Sequence, residues 1–117
     1  MSDPAETFGF VSYAHEDRDA LTVLLGHLKP FERQHGIKFY YDDYIRAGDE
    51  WEQRISDWIA NAKIIIVALS PKFLESDYIY ATELRLIRER LRNNATVIPV
   101  YFKECQFGFA LPEIQAV

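Results

Sequence analysis

The sequence predicts an α/β domain, in which a parallel β-sheet is covered by α-helices on both faces. Four short apolar stretches have the length and composition of buried strands, and the three stretches between them repeat their apolar residues at helical spacing. Strands and helices therefore alternate, which is typical of a parallel sheet joined by right-handed crossovers. The length of 117 residues and the ordinary composition, 49% apolar and 26% charged, fit a single domain over residues 1–117.

The predicted strands follow from the local apolar runs. The third run is apolar without alternation, as expected for a strand that is covered on both faces. Pro99, in the fourth run, has no N–H group to donate to a sheet, so we expect that strand to bulge there or to lie near an edge. The four predicted strands are Phe8–Tyr13, Ile37–Tyr41, Lys63–Leu69 and Thr96–Phe102.

Apolar stripes predict the first two helices. The first should kink at Pro30 and end at Gly36, which can adopt the left-handed conformation of a helix end. The second begins after Asp49, which together with Glu52 three residues later resembles a capping box. Their apolar stripes are Leu21, Leu24, Leu25, Leu28 and Phe31 in the first helix, and Trp51, Ile55, Trp58, Ile59 and Ala62 in the second.

The third predicted helix begins near Ser76 or Asp77, either of which can cap it, and runs toward Arg92. Glu83 falls at the border of its apolar face, and the helical neighbours of Glu83 carry no positive charge, so no ion pair forms within the helix. Glu83 is therefore either a solvated border residue or an acid held at the edge of a pocket, and the pattern leaves both readings open. The apolar face consists of Tyr80, Leu84, Ile87 and Leu91.

Parallel sheets bind ligands beyond the carboxyl ends of their strands, at the point where the strand order reverses. Glu83 comes about two helical turns after one of the loops at this end. In another loop, Ser12, Tyr13 and His15 could touch a ribose or a phosphate, although any polar loop would look similar. The loops predicted at the carboxyl end are Ser12–Asp17, Asp42–Asp49 and Ser70–Ser76.

The loop after the second strand holds two further candidate groups. Asp42 and Asp43 could bind Mg²⁺, but a phospho-receiver domain needs another acid after the third strand, and residues 68–70 contain none. A solvated turn is the simpler interpretation of the two acids. The stretch Tyr44–Trp51 is either a flap that presents Arg46 to a phosphate or to a neighbouring chain, or only a connection.

Composition and missing motifs disfavour several classes of function. The formal charge of −5, from 13 basic and 18 acidic side chains, disfavours a nucleic-acid-binding face. The chain has no GxxxxGK[ST] loop, no GxGxxG fingerprint, no GxSxG elbow and no zinc-spaced Cys/His cluster. Cys105 is the single cysteine, which excludes an internal disulfide. With no signal-peptide pattern and no long apolar run, we expect a cytoplasmic domain without membrane or nucleic-acid partners.

Three segments, in this order and at this spacing, resemble the TIR (Toll/interleukin-1 receptor) domain, and most closely its bacterial branch. They are FVSYAHEDRD, FYYDDYIRAGDEW and ALSPKFLESDYIYATEL. The first is similar to the family's box 1, the second to its box 2 with the BB loop, and the third to its Ser-Pro-x-Phe-Leu-x-Ser…Glu-Leu segment. The resemblance covers about residues 8–102 and implies a flavodoxin-like three-layer sandwich.

The resemblance also implies a context for the chain. The family's last strand and last helix have no counterpart before Val117. We therefore expect a TIR effector domain that belongs to a larger anti-phage defence protein, in which a second domain senses the trigger.

The resemblance implies one of two activities. Many bacterial and plant TIR domains, and one animal axonal member, cleave the nicotinamide–ribose bond of NAD⁺, with NAD⁺ as substrate and no further cofactor or metal. Other members are non-catalytic modules that assemble with TIR domains, often through the BB loop, which is Tyr44–Trp51 here. In the cleaving members a glutamate in the third helix is essential, and its counterpart is Glu83. Whether the product is ADP-ribose or a cyclic ADP-ribose stays open.

Substrate-binding residues carry over from the same resemblance. The axonal member has a tryptophan four residues before its glutamate, where this chain has Ile79. Either a neighbouring tyrosine, Tyr78 or Tyr80, takes over the stacking role of that tryptophan, or the role is lost. The residues that we expect to bind substrate are Ser12, Tyr13, His15, Asp43, Arg46, Ser70, Tyr78 and Tyr80.

Overall fold

A computed structural model of the chain describes residues 7–41, 51–76, 79–93 and 95–103. The strands are β1 (Phe8–Ser12), β2 (Lys38–Tyr41), β3 (Ile64–Leu69) and β4 (Thr96–Tyr101). The helices are α1 (Arg18–His35), α2 (Trp51–Asn61), α3 (Pro71–Glu75) and α4 (Leu84–Arg92), with a 3₁₀ turn at His15–Asp17 and a π-helical segment at Ile79–Glu83. All four predicted strands are confirmed, each within one residue at either end.

The described strands form one parallel sheet in the order β2-β1-β3-β4. The chain leaves β1 toward β2 on one side and later continues with β3 on the other side of β1. The strand order therefore reverses between β1 and β3, and this is the switch point at which such sheets bind ligands. Ser12, the last residue of β1, is in register with Val67 of β3.

The apolar residues of β3 alternate between two cores, one on each face of the sheet. On one face, Ile65 and Leu69 join a cluster with residues of α2, α3 and α4. On the other face, Ile66 and Ala68 pack with Leu21 of α1. The strand is apolar without alternation because both of its faces are covered. The α/β class, with a parallel sheet between two helical layers, is confirmed.

The predicted end of the first helix is confirmed at Gly36. This residue has φ 66° and ψ 26°, and its N–H donates to the carbonyl of Glu32 at 2.9 Å. The helix continues through Pro30 as far as His35. In the second helix, the buried side chains of Ile55 and Ile59 lie on the predicted stripe. Asp49 lies outside the described residues, and the side chain of Glu52 is not described either.

The prediction of a plain loop at Ser70–Ser76 is wrong, because this stretch contains the short helix α3. The Ser70 hydroxyl accepts a hydrogen bond from the N–H of Phe73 at 3.0 Å, and Pro71 occupies the first turn. A serine cap followed by proline is a recognised helix start, but five residues are too few to show an apolar period. The Ser76 hydroxyl accepts a hydrogen bond from the N–H of Ile79 at 3.2 Å, which agrees with the capping role predicted for Ser76.

Strand β4 lies at one end of the sheet formed by the described residues, which confirms the edge position predicted from Pro99. Its register with β3 runs unbroken from Thr96 to Tyr101, with Pro99 opposite Val67, so the strand does not bulge there. No helix within the described ranges is long and apolar enough to cross a membrane.

Arg90 of α4 joins this helix to the end of α2. Its guanidinium donates to the carbonyl oxygens of Ile59, at 2.8 Å, Ala60, and Ala62, at 2.9 Å. The last carbonyl groups of a helix have no partner within the helix and form its negative end. The Arg90 side chain satisfies them with hydrogen bonds from a positive charge.

Candidate functional site

Four polar or charged residues are buried in the described part of the chain, and all four lie at or just beyond the carboxyl ends of β1 and β3 or on helical segments packed there. They form two serine–carboxylate pairs, Ser12 with Glu83 and Ser70 with Asp17. Buried polar groups must be paired to offset the loss of hydration. Their concentration at the switch point of the sheet makes this end of the molecule the candidate site.

The first pair joins the end of β1 to the segment before α4. The Ser12 hydroxyl donates to Glu83 Oε1 at 2.7 Å, across 71 residues of chain. Ser12 is 1% exposed and Glu83 is 5% exposed. The sequence left open whether Glu83 is solvated, and the structure shows that it is not. A carboxylate held in this way keeps a fixed position next to the loop that follows β1.

The backbone that carries Glu83 is a π-helical segment of five residues, Ile79–Glu83. A π turn is wider than an α turn, and such turns occur often at functional sites. The buried side chain of Ile79 anchors the start of this segment in the core. Glu83 is its last residue, immediately before α4 begins at Leu84.

The second pair joins the loop after β1 to the start of α3. The Ser70 hydroxyl donates to Asp17 Oδ2 and also accepts from the N–H of Phe73. Ser70 is fully buried and Asp17 is 7% exposed. The N–H of Asp17 donates to the carbonyl of Ala14 at 2.9 Å, which closes the turn.

Two predicted binding residues lie on the loop between these pairs. Tyr13 is buried, and its ring packs edge-on against His15, with centroids 5.5 Å apart, and against Tyr41, with centroids 6.4 Å apart. His15 is exposed at the start of the 3₁₀ turn. In this loop the ring of Tyr13 is therefore buried and the ring of His15 is accessible to solvent.

The structure brings several of the predicted site residues to the same end of the sheet: Ser12, Tyr13, His15, Ser70 and Glu83. Asp43, Arg46 and Tyr78 lie outside the described residues. The backbone of Tyr80 belongs to the π-helical segment, but its side chain is not described. Among the described residues, no group of three or more His, Cys, Asp or Glu side chains could hold a metal ion.

Asp17 is the buried residue at this end that the sequence did not single out. It was only the last residue of a predicted loop, and acids are common just before a helix. Its position immediately before the apolar stripe of α1 was visible, but its burial depends on Ser70, 53 residues later.

A model of the TIR domain family matches residues 10–117, so the chain belongs to the TIR domain family. It is 31% identical, over 80% of its length, to a Brucella abortus protein named "Probable 2' cyclic ADP-D-ribose synthase TcpB". It is 24% identical, over 88% of its length, to the "2' cyclic ADP-D-ribose synthase BtTIR" of Bacteroides thetaiotaomicron. An uncharacterised protein of Sinorhizobium fredii, y4lF, is 33% identical over 86% of the chain. The assignment to a bacterial-type TIR domain is confirmed.

Two further findings show how much of its relatives the chain spans and which solved structure shares its fold. The chain spans 32% to 37% of the length of these three relatives. Among solved structures, the TIR domain of the Toll-related receptor TRR-2 from Hydra magnipapillata matches with a TM-score of 0.63 at 22% identity, over 93% of this chain and 81% of that one. That match supports the fold.

Proposed function

We propose that this TIR domain cleaves NAD⁺ at the bond between nicotinamide and ribose, with Glu83 as the catalytic residue. The observation that carries the proposal is the position of the Glu83 carboxylate, which is buried and bound by Ser12 at the switch point of the sheet. The names of the Brucella and Bacteroides relatives as cyclic ADP-ribose synthases support this choice of substrate and reaction.

The reaction does not require a general acid to assist the leaving group. The bond from C1′ of the ribose to the pyridinium nitrogen breaks with its electron pair on nitrogen, so nicotinamide leaves as a neutral molecule. Positive charge then builds on the ribose as an oxocarbenium ion. No group needs to protonate the leaving group, so one carboxylate is enough, whereas ordinary glycosidases use two.

Glu83 stabilises this transition state with its negative charge and by accepting hydrogen bonds from the ribose hydroxyls. A carboxylate has about four acceptor positions, so a bond from Ser12 still leaves capacity for a substrate hydroxyl. A fixed charge in a water-poor environment stabilises a developing opposite charge more strongly than the same charge in water. Water then adds to C1′ and loses its proton to give ADP-ribose, or a nucleophile within the substrate closes a cyclic product.

The other predicted binding residues complete the proposed site. Ser12 orients Glu83, and Tyr13 and His15 contact the substrate from the first loop. Asp43, Arg46, Ser70, Tyr78 and Tyr80 remain predictions from the family resemblance. In this proposal Tyr44–Trp51 of a neighbouring TIR domain completes the site, so that activity depends on assembly. A role in antiviral defence, with a sensor domain in the same protein, extends the proposal to the whole protein.

The test is NAD⁺ consumption by the purified protein at high concentration with a crowding agent, followed by the release of nicotinamide. We expect Glu83→Gln to lower the rate by a factor of about 100 or more, the order found when a group that stabilises transition-state charge is removed. Glutamine keeps an oxygen that can accept from Ser12, so the fold should survive. Glu89→Gln is the matched control on α4, which follows Glu83 directly, since Glu89 is exposed and pairs with Arg85 at 3.9 Å.

A wild-type rate in Glu83→Gln would refute the catalytic role. The alternative function is a non-catalytic TIR–TIR interaction module, and Ile79 favours it. Ile79 is buried in the core where the axonal NAD⁺-cleaving relative has a stacking tryptophan, so it offers no ring to the substrate. If the full-length protein with its trigger assembles but releases no nicotinamide, the interaction module is the correct function.

A further inference from the structure

The carboxylate of Asp17 is buried although the residues around it in the sequence are exposed. Asp17 is 7% exposed, whereas His15, Glu16, Arg18 and Asp19 are all exposed. An acid at this position normally caps the helix that follows it. The Asp17 side chain makes no such cap hydrogen bond to α1. It is directed instead to Ser70, beyond the end of β3.

Ser70 connects three parts of the molecule at this point. It follows β3, its hydroxyl caps α3 at Phe73, and the same hydroxyl donates to Asp17. Ser70 is fully buried, so its hydroxyl needs a hydrogen-bond partner within the protein. The Asp17–Ser70 bond, which we call the loop brace, therefore fastens the first loop to the central strand.

The register of the sheet shows where the loop brace holds the chain. Ser12 lies opposite Val67, and Ser70 comes three residues after Val67, just past the end of β3 and about 10 Å away at the usual rise of a strand. The loop after β1 reaches the end of β3, where Asp17 meets Ser70. Residues 13–16 of that loop lie in the chain between the two buried pairs, Ser12 with Glu83 and Asp17 with Ser70.

We infer that Asp17 is a positioning residue: through Ser70 it fixes the first loop at the end of β3 and so places Tyr13 and His15 for substrate binding. This inference deepens the proposed function and rests on it. Asp17 does not act on the reacting bond. Its loss loosens the loop that binds the substrate, while Glu83 keeps its own partner, Ser12. A loosened loop must be ordered again each time that substrate binds, which weakens binding more than it slows the chemical step.

The test compares Asp17→Ala, Asp17→Asn and the control Asp19→Ala in the NAD⁺ assay, with amide hydrogen exchange at residues 13–17 as a second measurement. We expect Asp17→Ala to raise KM about tenfold, the equivalent of one buried hydrogen bond, with kcat changed by less than about threefold. Exchange at residues 13–17 should become faster, while exchange in α4 stays as in the wild type. Asp17→Asn should recover most of the KM, because its amide oxygen still accepts from Ser70. Asp19→Ala should match the wild type.

Two results would overturn the inference. One is wild-type KM and wild-type exchange in both Asp17 variants, which would show that the loop does not need the loop brace. The other is a parallel fall of kcat, kcat/KM and stability, which would make Asp17 a structural residue only. If Asp17→Ala does not fold, Asp17→Asn decides by the same criteria, with a smaller rise in KM expected. If the triggered, assembled full-length protein releases no nicotinamide but exchange is still faster in Asp17→Ala, the proposed function is refuted while the loop brace itself stays supported.

Discussion

The middle of the sheet and its carboxyl end are buried to the same degree but are built from different chemistry. In the middle, Val11, Ile65 and Ile66 are at most 3% exposed and are surrounded by apolar side chains. At the carboxyl end, two serines and two carboxylates are buried to a similar extent and bind one another in pairs. Ser12 ends β1 and Ser70 directly follows β3, so both serines lie within a few residues of the apolar middle.

Stability alone does not account for this difference. Pairing a buried carboxylate roughly offsets its lost hydration, and apolar residues of the same size often give equal or greater stability. Buried polar groups at one end of the sheet therefore make the protein no more stable, and often less stable, than apolar residues at the same positions would. The difference therefore indicates that the carboxyl end is shaped by a requirement for charge and hydrogen bonds, which the proposed reaction supplies.

The largest expected effect on stability comes from truncating a buried apolar side chain in the middle of the sheet. Ile65→Ala removes a fully buried side chain from the core and leaves a cavity, so the free energy of unfolding should fall by about 2–5 kcal/mol. Urea denaturation measures this change. Ile98→Ala on β4, where the side chain is 42% exposed, is the control and should cost less than about 1 kcal/mol. Equal losses in the two variants would contradict the distinction between core and edge.

A smaller effect is expected from crowding the middle of the sheet at Gly9. A Cβ atom at this position would clash with the ring of Phe39 and would come within 3.2 Å of the carbonyl oxygen of Ile64. Gly9→Ala should therefore destabilise the fold by about 1–3 kcal/mol, as overpacked cores do.

Gly26→Ala is the opposite case, because a Cβ at this helical position meets nothing within 4 Å. It should stabilise the protein by about 0.5–1 kcal/mol. Thermal unfolding of the two glycine variants separates the outcomes, and a stabilised Gly9→Ala variant would show that the two strands can separate freely at this point.

The smallest net effect on stability is expected when the polar end is made apolar. Ser12→Ala leaves the Glu83 carboxylate without its 2.7 Å donor and should cost about 1–3 kcal/mol. Adding Glu83→Leu removes the charge as well, so the double variant should regain most of that loss while NAD⁺ cleavage is abolished. Chemical denaturation and the nicotinamide assay measure the two quantities on the same samples. A double variant less stable than Ser12→Ala would show that the pair contributes to the fold beyond its cost of burial.

The strands were predictable from the sequence because their signal is local. A run such as Ile64–Leu69 is apolar at every position, and only burial on both faces accounts for that. The end of α1 at Gly36 was equally local, since a left-handed residue is required there. Helix α3 was missed because a single turn shows no period, although Ser70 and Pro71 marked its start.

The pairing in the candidate site was not predictable in the same way. Glu83 was singled out at the border of its helix, but its burial depends on Ser12, 71 residues earlier in the chain. Asp17 and Ser70 meet only because β1 and β3 are neighbours in the sheet. A single sequence carries the residues of such a pair but not their proximity, which the topology of the sheet creates.

The attachment of Arg90 to the end of α2 has a consequence for hybrid proteins. Three carbonyl oxygens, in the last turn of α2 and just after it, receive hydrogen bonds from Arg90, which lies seven residues after Glu83. A graft that carried Glu83 and its helix into another TIR domain would also carry this guanidinium. The recipient would need a second helix whose last carbonyl oxygens lie within hydrogen-bond distance of the Arg90 guanidinium. The exchangeable module is therefore residues 51–92, from the start of α2 to the end of α4, and not Glu83 with α4 alone.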